Sequence, residues 1–429
     1  MKMDMNRRPL RVLWFAGTPG LSANYLKVSI ASGGWISSLQ SALGNIGHCQ
    51  LGFVFYSEEP IAPFEYEGTW YYPVQKLGNS KKKRLLNRLT RRTEYDENLP
   101  HFLKAVELFK PDIIHVHGTE FSFGLISRQV SHIPIVVSIQ GNLTAYQKKY
   151  FSGLNMPGLG KRLLSGYPFF LADYKIWQKR AEIEREILRR TEFVFGRTDW
   201  DRRICLALAP GASYYHLDEV IRPRFYGLER KPGVNAAPVF FTTTGPTFYK
   251  GFETVLETAR ILTDNRMAFT WLVAGLKEDY PLVKLMLQSR GVSDLAAINI
   301  RLLGTLPEEE LASQLTDADA FVQVSHIENS PNSLCEAMLA GIPVIASFAG
   351  GTSSLVQDGV QGVLVQDGDP YALAGALQEL VRYPERYQPM AAEGRRIALL
   401  RHDPGTIVAD MVGKYAEIIE VWKKNHQKS

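Results

Sequence analysis

Two glutamates stand eight positions apart around the start of a predicted helix. Glu328 lies in the loop after the apolar run AFVQVS, and Glu336 lies in the first turn or so of the helix that opens at Asn332. Each carboxylate can hold a hydroxyl group, so the pair can grip one ligand at two points. The helix N-terminus between them offers backbone amides to a phosphate. A helix-dipole role alone would account for Glu336 but not for Glu328 or for the Ser-Pro-Asn turn.

A lysine at another helix start suits the same kind of ligand. Lys250 follows the apolar run PVFFTTT and a Gly-Pro turn, and it stands beside Gly251 at the entry to the next helix. A cationic side chain near helix amides is well placed to neutralise a pyrophosphate. The alternative is an exposed surface lysine.

A glycine pair precedes a third helical stretch near the N-terminus. Gly33 and Gly34 stand between the first apolar run and the segment WISSLQSAL. Glycine lets a phosphate approach backbone amides closely, although a simple turn would use the same residues. The pair matches neither the G-x-G-x-x-G fingerprint of dinucleotide sites nor the P-loop pattern, so neither kind of site is supported.

Two histidines close a predicted strand in the motif H-V-H-G. His115 and His117 are two positions apart and therefore share one face of the strand, which would suit a metal pair. No third ligand is recognisable nearby in the sequence. His117 at the exit of the strand is better interpreted as a hydrogen-bonding or acid/base group that faces a cleft. A structural histidine is the alternative.

The elements that must position these residues follow a regular β-α rhythm. Continuous runs of Val, Ile, Leu and Phe alternate with amphipathic stretches, as expected for parallel strands covered by helices on both faces. The rhythm occurs twice, which predicts two doubly wound α/β domains. The predicted strands are Arg11–Gly17, Leu51–Tyr56, Asp112–Gly118, Pro134–Gly141, Glu192–Thr198, Pro238–Gly245, Phe269–Gly275, Asn299–Gly304, Ala320–Ser325, Pro343–Ser347 and Gly362–Val365.

The rhythm restarts after a linker over residues 222–237, which contain prolines and glycines without periodicity. We therefore predict an N-terminal domain over residues 1–225 and a C-terminal domain over residues 226–403. Residues 404–429 are predicted to form a helix that packs back on the N-terminal domain. Residues 141–172 are predicted to be an irregular, mobile insertion. Ligands of such sheets bind beyond the carboxyl ends of the strands, so the cleft between the domains is the expected site.

The composition is that of a soluble globular enzyme. The 429 residues are 45% hydrophobic and 22% charged, which excludes a disordered chain. No run approaches the ~18 uncharged apolar residues of a membrane span, and the N-terminus is interpreted as a first strand and not as a signal peptide. Three cysteines without close spacing favour neither a disulfide framework nor a zinc site, and they indicate the reducing cytosol.

The net charge of +5 is distributed unevenly. Residues 1–230 carry 32 Lys and Arg against 21 Asp and Glu, whereas the remaining residues carry 17 against 23. The densest basic run suits an anionic membrane surface or an acidic acceptor, although a solvated loop would have the same composition. No nucleic-acid-binding signature is recognisable. The positive residues of this run are Lys81, Lys82, Lys83, Arg84, Arg88, Arg91 and Arg92.

The E-x7-E spacing of Glu328 and Glu336, with EAMLAGIPVIAS and the following GGTSSLVQDGVQGVLV, resembles family 4 (group 1) glycosyltransferases of the GT-B fold. The resemblance is specific over residues 242–365 and looser elsewhere. The stretches GRTDWDRR and EVIRPRFY are similar to a bacterial surface-polysaccharide subgroup. The GT-B fold implies two Rossmann-like domains that face each other across a cleft. The N-terminal domain would bind the acceptor, and the C-terminal domain would bind a nucleotide-sugar.

The resemblance also implies roles for the residues above. Glu336 would bind the nucleotide ribose, Glu328 would contact the donor sugar, and Lys250 would bind the diphosphate. His117 would lie near the reacting centre, so His117, Glu328 and Lys250 are the expected catalytic residues. The other implied donor-binding residues are Gly33, Gly34, Thr305, Leu306, Asn332, Ser333 and Leu334.

The chain departs from the family pattern near the lysine. Family members often carry an arginine five or six positions before it, where this chain has Thr244 and Gly245, two further positions of the donor site. Arg197 or Arg222 would then supply part of the positive charge on the diphosphate. Gln140 stands where a histidine is common.

The activity implied is that of a retaining, hexosyltransferase-type glycosyltransferase without a cofactor. It would move a sugar from a nucleotide-diphosphate sugar to a hydroxyl of a saccharide or lipid-linked saccharide during polysaccharide synthesis, in the cytoplasm or peripherally on the inner face of the membrane. No metal is expected, and three D-x-D sequences are not interpreted as metal sites. They are Asp199-Trp-Asp201, Asp317-Ala-Asp319 and Asp367-Gly-Asp369.

Three other functions are open to the same sequence. A non-hydrolysing sugar-nucleotide epimerase would share the two-domain fold, but its acid/base carboxylates cannot be assigned. A catalytically silent nucleotide-sugar-binding subunit would fit the missing arginine. A dehydrogenase is the weakest alternative, because no dinucleotide fingerprint follows the first strand.

Overall fold

The computed structural model describes residues 8–28, 34–44, 49–76, 94–154, 167–230 and 237–426. Gly33 and the positive residues of the basic run lie outside the described residues, so what is expected of them stays a prediction. None of the described helices is both long enough and apolar enough to cross a bilayer.

An eight-stranded sheet forms the centre of the N-terminal half. Its strands are β1 (Leu10–Ala16), β2 (Cys49–Ser57), β3 (Phe64–Tyr66), β4 (Thr69–Gln75), β5 (Ile113–His117), β6 (Ile135–Ser138), β7 (Phe193–Gly196) and β8 (Ser213–His216). They lie in the order β3-β4-β2-β1-β5-β6-β7-β8. All neighbours are parallel except β3 and β4, which are antiparallel.

Helices cover this sheet as the β-α rhythm predicts. They are Ser22–Leu26, Gly34–Gly44, Glu94–Phe109, Leu143–Tyr146, Pro168–Arg190 and Asp199–Leu208, with short 3-10 turns at Ser122–Arg128, Gln147–Lys149 and Pro223–Gly227. Two separate clusters of buried side chains pack on the opposite faces of the sheet, around Trp14 on one face and Phe15 on the other. Residues 14 and 15 point to opposite sides because side chains alternate along a strand.

A second, six-stranded sheet forms the centre of the C-terminal half. Its strands are β9 (Val239–Thr243), β10 (Thr270–Ala274), β11 (Ile300–Gly304), β12 (Ala320–Gln323), β13 (Val344–Phe348) and β14 (Val363–Gln366). Their order is β11-β10-β9-β12-β13-β14, and every neighbouring pair is parallel. The helices are Phe252–Asp264, Pro281–Arg290, Glu308–Asp317, Asn332–Leu339, Pro370–Arg382, Pro384–Arg401 and Pro404–His426, with 3-10 turns at Phe248–Lys250, Ala296–Ile298 and Thr352–Ser354.

All eleven strands predicted from the sequence form, with ends within a few residues of the predicted ones. Strands β3, β4 and β8 were not predicted from the sequence. Strand β3 has three residues and β8 has four, and both lie at the edges of the sheet with no buried residue. Such strands lack the continuous apolar run that marks a strand covered on both faces.

Each sheet has a point where the chain reverses its direction of winding. In the second sheet β9 lies between β10 and β12, and in the first sheet β1 lies between β2 and β5. Crevices for ligands open at such switch points, at the carboxyl ends of the strands. Lys250 follows β9 and Glu328 follows β12, so the second switch point brings these two side chains together.

The last helix, Pro404–His426, lies against the first sheet. Its Tyr415 is fully buried, and the hydroxyl accepts a hydrogen bond from Nε1 of Trp14 at 3.2 Å and bonds Nδ1 of His115 at 2.5 Å. The other ring nitrogen of His115 bonds the hydroxyl of Ser138 at 2.6 Å. Burial lowers the pKa of His115 to about 3, so the ring is neutral and both of its nitrogens are used structurally.

Residues 141–154 and 167–172, the described part of the predicted insertion, pack against the C-terminal half. Tyr150, Leu154 and Phe170 are buried in the hydrophobic core of the C-terminal half, where the Phe170 ring lies 4.7 Å from that of Phe248. The described part of this segment forms helical turns, so the prediction of an irregular insertion is wrong there, and mobility stays a prediction. Its aromatic residues form packing contacts across the chain that a polar surface loop would not make.

Replacing Tyr415 with Phe tests how the last helix docks. The change should leave polar groups of Trp14 and His115 without a partner in the core, and an unsatisfied buried polar group costs about 1–3 kcal/mol. The free energy of unfolding, measured in urea, should fall by that amount. Tyr371→Phe is the control, because Tyr371 is 75% exposed and should tolerate the change. Equal stability of both variants would contradict this docking.

Candidate functional site

Lys250 and Glu328 form an ion pair at the switch point of the second sheet. Lys250 ends a 3-10 turn, and its Nζ donates a hydrogen bond to Oε1 of Glu328. Burial alone would lower the pKa of Lys250, but Glu328 and Tyr249 together outweigh that effect and raise the pKa, which favours the charged lysine. Gly251 allows this turn: its φ is +74°, and a Cβ there would lie 2.0 Å from the carbonyl oxygen of Val324.

The backbone of Glu328 is fixed by a second close approach. Gly351 N donates to Glu328 O at 2.8 Å, and a Cβ on Gly350, whose φ is +57°, would lie 2.0 Å from the same oxygen. The loop that carries the first glutamate is thus held by the glycine pair after β13. This pair belongs to the motif GGTSSLVQDGVQGVLV on which the resemblance rests.

Asn329 ties the same loop to the N-terminal half. Its Oδ1 accepts a hydrogen bond from the hydroxyl of Thr198 at 2.7 Å, and its Nδ2 donates to Gln140 O at 3.1 Å and to Oδ2 of Asp201 at 3.0 Å. Asn329 is buried, and every one of these partners comes from the first domain. The glutamate loop is therefore positioned by both domains.

The second glutamate is paired with a linker arginine. Glu336 is almost fully buried on the helix Asn332–Leu339, and its Oε1 accepts from Nε of Arg222 at 2.8 Å. Arg222 also donates from Nη1 to Glu308 at 3.2 Å. Burial raises the pKa of Glu336 to about 7, although Arg222 acts in the opposite direction. This carboxyl is therefore poised between its charged and neutral forms near neutral pH.

His117 lies at the corresponding edge of the first sheet. Its ring lies 4.5 Å from that of Trp14 and 5.8 Å from that of Trp35, and within the described part of the chain neither ring nitrogen has a hydrogen-bond partner. Burial lowers its pKa well below the usual value, with His115 and Arg197 adding to the effect. A neutral imidazole with both nitrogens unused can donate one hydrogen bond and accept another.

Arg197 is buried beside this histidine and is already paired. Its guanidinium lies over the Trp35 ring at 4.7 Å, and its Nε is 3.5 Å from Oε2 of Glu219. Burial would raise the pKa of Glu219, but Arg197, His402 and Arg401 together with the Ser330 hydrogen bond outweigh burial, and the pKa is lowered. Glu219 also accepts a hydrogen bond from the hydroxyl of Ser330. Much of the charge of Arg197 is thus balanced inside the protein.

The remaining predicted donor residues lie around the same edge of the second sheet. Thr244 and Gly245 directly follow β9, and Thr305 and Leu306 directly follow β11. Asn332, Ser333 and Leu334 form the first turn of their helix. Gly34 begins the helix of the first domain that reaches Arg222, since a Cβ on Gly34 would lie 3.1 Å from Cδ of Arg222. The structure therefore gathers the described candidates at the facing edges of the two sheets.

A cluster of paired charges lies beside Lys250 and Glu328. His326 bonds Glu253 at 2.5 Å and Asp367 at 3.3 Å, and Lys149 of the first domain reaches Asp367 at 3.2 Å. These residues line a cavity of about 750 Å³. Glu253 begins the helix after Lys250, so the cluster adjoins the candidate site.

Several of these residues were not predicted from the sequence. Asn329, Glu219, Glu253 and His326 were not singled out, because single polar residues in loops carry no spacing signal. His326 lies two positions before Glu328 and Asn329 directly follows it, and that proximity is the signal that could have found them.

Four of the six aspartates in the D-x-D sequences have structural uses. Asp201 closes a capping box with Thr198, and Asp369 caps the helix Pro370–Arg382. Asp319 accepts hydrogen bonds from Arg230 and from Val239 N. Asp367 pairs with Lys149 and His326, as described above. That the protein needs no metal stays a prediction.

Comparison with known proteins supports one family. Residues 231–397 match the family model described as Glycosyl transferases group 1. The amylovoran biosynthesis glycosyltransferase AmsK of Erwinia amylovora is 28% identical over 187 residues, which cover 42% of this chain and 45% of that protein. The putative colanic acid biosynthesis glycosyltransferase WcaL of Salmonella typhimurium is 31% identical over 139 residues, which cover 31% and 33%. The matches thus span less than half the length of these relatives.

The whole chain matches solved structures in fold. Sucrose-phosphate synthase from Thermosynechococcus elongatus superposes with a TM-score of 0.72 at 16% identity, covering 96% of this chain and 100% of that one. HepE of Anabaena in complex with UDP and glucose gives 0.64 at 15% identity, covering 95% and 100%. These likenesses confirm the GT-B fold expected from the sequence.

The cluster around His326 makes stability depend on pH. Burial would lower the pKa of His326, but Glu253 and Asp367 outweigh burial and raise it. A raised pKa in the folded state contributes stability that is full below the unfolded pKa of about 6.5 and is lost as pH rises through the folded pKa. The loss of unfolding free energy in His326→Gln should therefore be larger at pH 6 than at pH 9.

The matched control for this experiment is His132→Gln, because His132 is an exposed histidine of the first domain. Its effect in urea unfolding should be small at both pH values. A deficit in His326→Gln that is the same at pH 6 and pH 9 would contradict the charged pairing.

Proposed function

We propose that this chain, whose residues 231–397 form a group 1 glycosyltransferase domain on a GT-B fold, is a retaining sugar transferase. It moves a sugar from a nucleotide-diphosphate sugar to a hydroxyl group of a saccharide or lipid-linked saccharide. The observation that carries the proposal is the meeting of Lys250 with Glu328 at the switch point, beside the helix that bears Glu336.

The donor roles follow from the charges of these groups. Lys250 and the amides at the start of the helix Asn332–Leu339 offer positive charge to the diphosphate. Glu328 and Glu336 offer carboxylate oxygens to hydroxyl groups of the sugar and the ribose. Glu328 is engaged by Lys250, which suits a binding role better than that of a free nucleophile.

The chemical step then uses the leaving group itself as the base. The bond between the anomeric carbon and the phosphate oxygen breaks, and the acceptor oxygen bonds to the same face of that carbon. The acceptor proton passes to the departing phosphate oxygen. The protein lowers the barrier mainly by stabilising the charge of the departing diphosphate, and the surrounding domains exclude water.

The saccharide acceptor is supported by the relatives and by the charge of the first domain. Two relatives are named for the synthesis of amylovoran and of colanic acid, both as glycosyltransferases. The basic excess of residues 1–230 suits an anionic membrane surface at which lipid-linked saccharides are found. We infer a cytoplasmic protein that associates peripherally with the inner face of the membrane.

One observation favours a second candidate, a nucleotide-sugar-binding subunit without transfer activity. The positions before Lys250 where family members carry an arginine are Thr244 and Gly245 here, and Arg197 is paired with Glu219. A subunit of this kind would bind the donor and would transfer sugar to no acceptor.

Lys250→Ala and Glu336→Ala should each reduce turnover by about 100-fold or more, because each removes a preorganised charged contact to the donor. The donor for the assay is chosen by thermal shift among UDP-, GDP- and ADP-sugars, since a ligand at 100 times its Kd stabilises by about 2.7 kcal/mol. The matched controls are Lys284→Ala and Glu310→Ala, at exposed positions of the same domain. Near-wild-type turnover in both site variants would refute the proposal.

Membrane association is tested by flotation with liposomes. The full chain should float with vesicles that contain anionic phosphatidylserine at low salt and should be released as salt screens the attraction. Replacement of the seven positive residues in the basic run by glutamine should abolish flotation. If the wild-type chain does not float at low salt, membrane association is contradicted, but the proposed sugar transfer is not.

A further inference from the structure

Arg222 is the side chain that connects the linker to both domains. It stands directly before the 3-10 turn Pro223–Gly227, and its aliphatic part passes beside Gly34, where a Cβ would come within 3.1 Å of its Cδ. Its guanidinium reaches the second domain. The missing side chain of Gly34 thus leaves the room that Arg222 occupies.

The guanidinium is held on three sides. Nε and Nη2 both lie 2.8 Å from Oε1 of Glu336, and Nη1 lies 3.2 Å from Oε2 of Glu308. The planar group also lies over the Phe225 ring at 4.6 Å. These contacts fix the orientation of Arg222, because a guanidinium donates in a rigid fork.

Arg222 contacts only one oxygen of Glu336. Within the described part of the chain, Oε2 of Glu336 accepts no hydrogen bond, although the side chain is only 6% exposed. A buried carboxylate with a fixed Oε1 and an unused Oε2 can accept a hydrogen bond from one hydroxyl group in a defined direction.

The charge of Glu336 depends on this contact. The other ionisable groups around it are Glu308, which disfavours its negative charge, and Cys335 on its own helix. Further away, Arg224 pairs with Glu308 and Glu309. Glu219 lies beside Cys335. At the far end of the helix, Arg395 donates a hydrogen bond to the carbonyl of Leu339. The helix Gly34–Gly44 brings no charged side chain. Arg222 is therefore the cation that directly opposes the cost of burying this carboxylate.

We propose that Arg222 is a positioning residue that favours the anionic form of Glu336 and fixes one of its oxygens, leaving the other to accept a ribose hydroxyl of the donor. This inference rests on the proposed function. Through Arg222, the linker would take part in nucleotide recognition. This side chain contacts Gly34 at the start of a first-domain helix and Glu336 in the second domain.

The test compares nucleotide affinities of Arg222→Gln and wild type across pH. The probe is whichever of UDP, GDP and ADP binds the wild-type protein most tightly, titrated by calorimetry at pH 6.5, 7.5 and 9.5. The pKa of Glu336 is about 7 with Arg222 present and should rise without it. Each unit by which the pKa of Glu336 rises lowers the ionised fraction of this carboxyl about tenfold, at pH values below the pKa in both proteins.

The expected result is a loss of affinity of about tenfold or more at pH 6.5 that becomes much smaller at pH 9.5, where Glu336 is ionised in both proteins. Dividing the Kd of the variant by the Kd of the wild type at each pH cancels the effect of the nucleotide's own titration. Arg222→Lys, which keeps the charge, should lose less affinity. Arg224→Gln is the matched control and should bind like wild type, since Arg224 pairs with Glu308 and Glu309 at the surface.

The outcomes separate the two claims. If the wild-type protein binds none of the three nucleotides, both the proposed function and this inference are wrong. If the wild type binds but Arg222→Gln shows no deficit, or one that is the same at all three pH values, the positioning role is wrong while the donor site stands.

Discussion

The candidate site depends on two buried carboxylates that each lie against a cation. Removing a carboxylate from water favours its neutral form, and only an opposite charge or several donors can offset that cost. Glu328 has Lys250 as its cation, and Glu336 has Arg222. Both cations come from segments distant in sequence, so the site exists only when the whole fold is assembled.

The two sheets supply that assembly. The switch point of the second sheet sets the turn with Lys250 against the loop with Glu328. Asn329 then anchors this loop on Thr198 and Asp201 of the first domain, while Tyr150 and Phe170 insert aromatic rings into the core of the second. These contacts hold the domains close around the site. Opening of the cleft would therefore require the hydrogen bonds of Asn329 and the packing of Tyr150 and Phe170 to break.

The sequence predicted the fold well where it depends on local pattern. The eleven strands predicted from apolar runs all form, and the spacing of Glu328 and Glu336 indicated a resemblance to group 1 glycosyltransferases, whose family model matches residues 231–397. Short edge strands such as β3 and β8 carry no such run and were missed. The partners of the site residues could not be predicted either, because Arg222 and Glu336 lie far apart in the chain and the pairing follows from tertiary packing. The aromatic residues around Tyr150 were mistaken for a loop for the same reason: their burial depends on the other domain.

A crystal structure of the protein soaked with its tightest-binding nucleoside diphosphate tests the central claim most directly. We expect the diphosphate between Lys250 and the first turn of the helix Asn332–Leu339, with the ribose hydroxyl groups on Glu336. A nucleotide found elsewhere, for instance in the cavity beside His326, or bound without contact to Lys250 and Glu336, would contradict it.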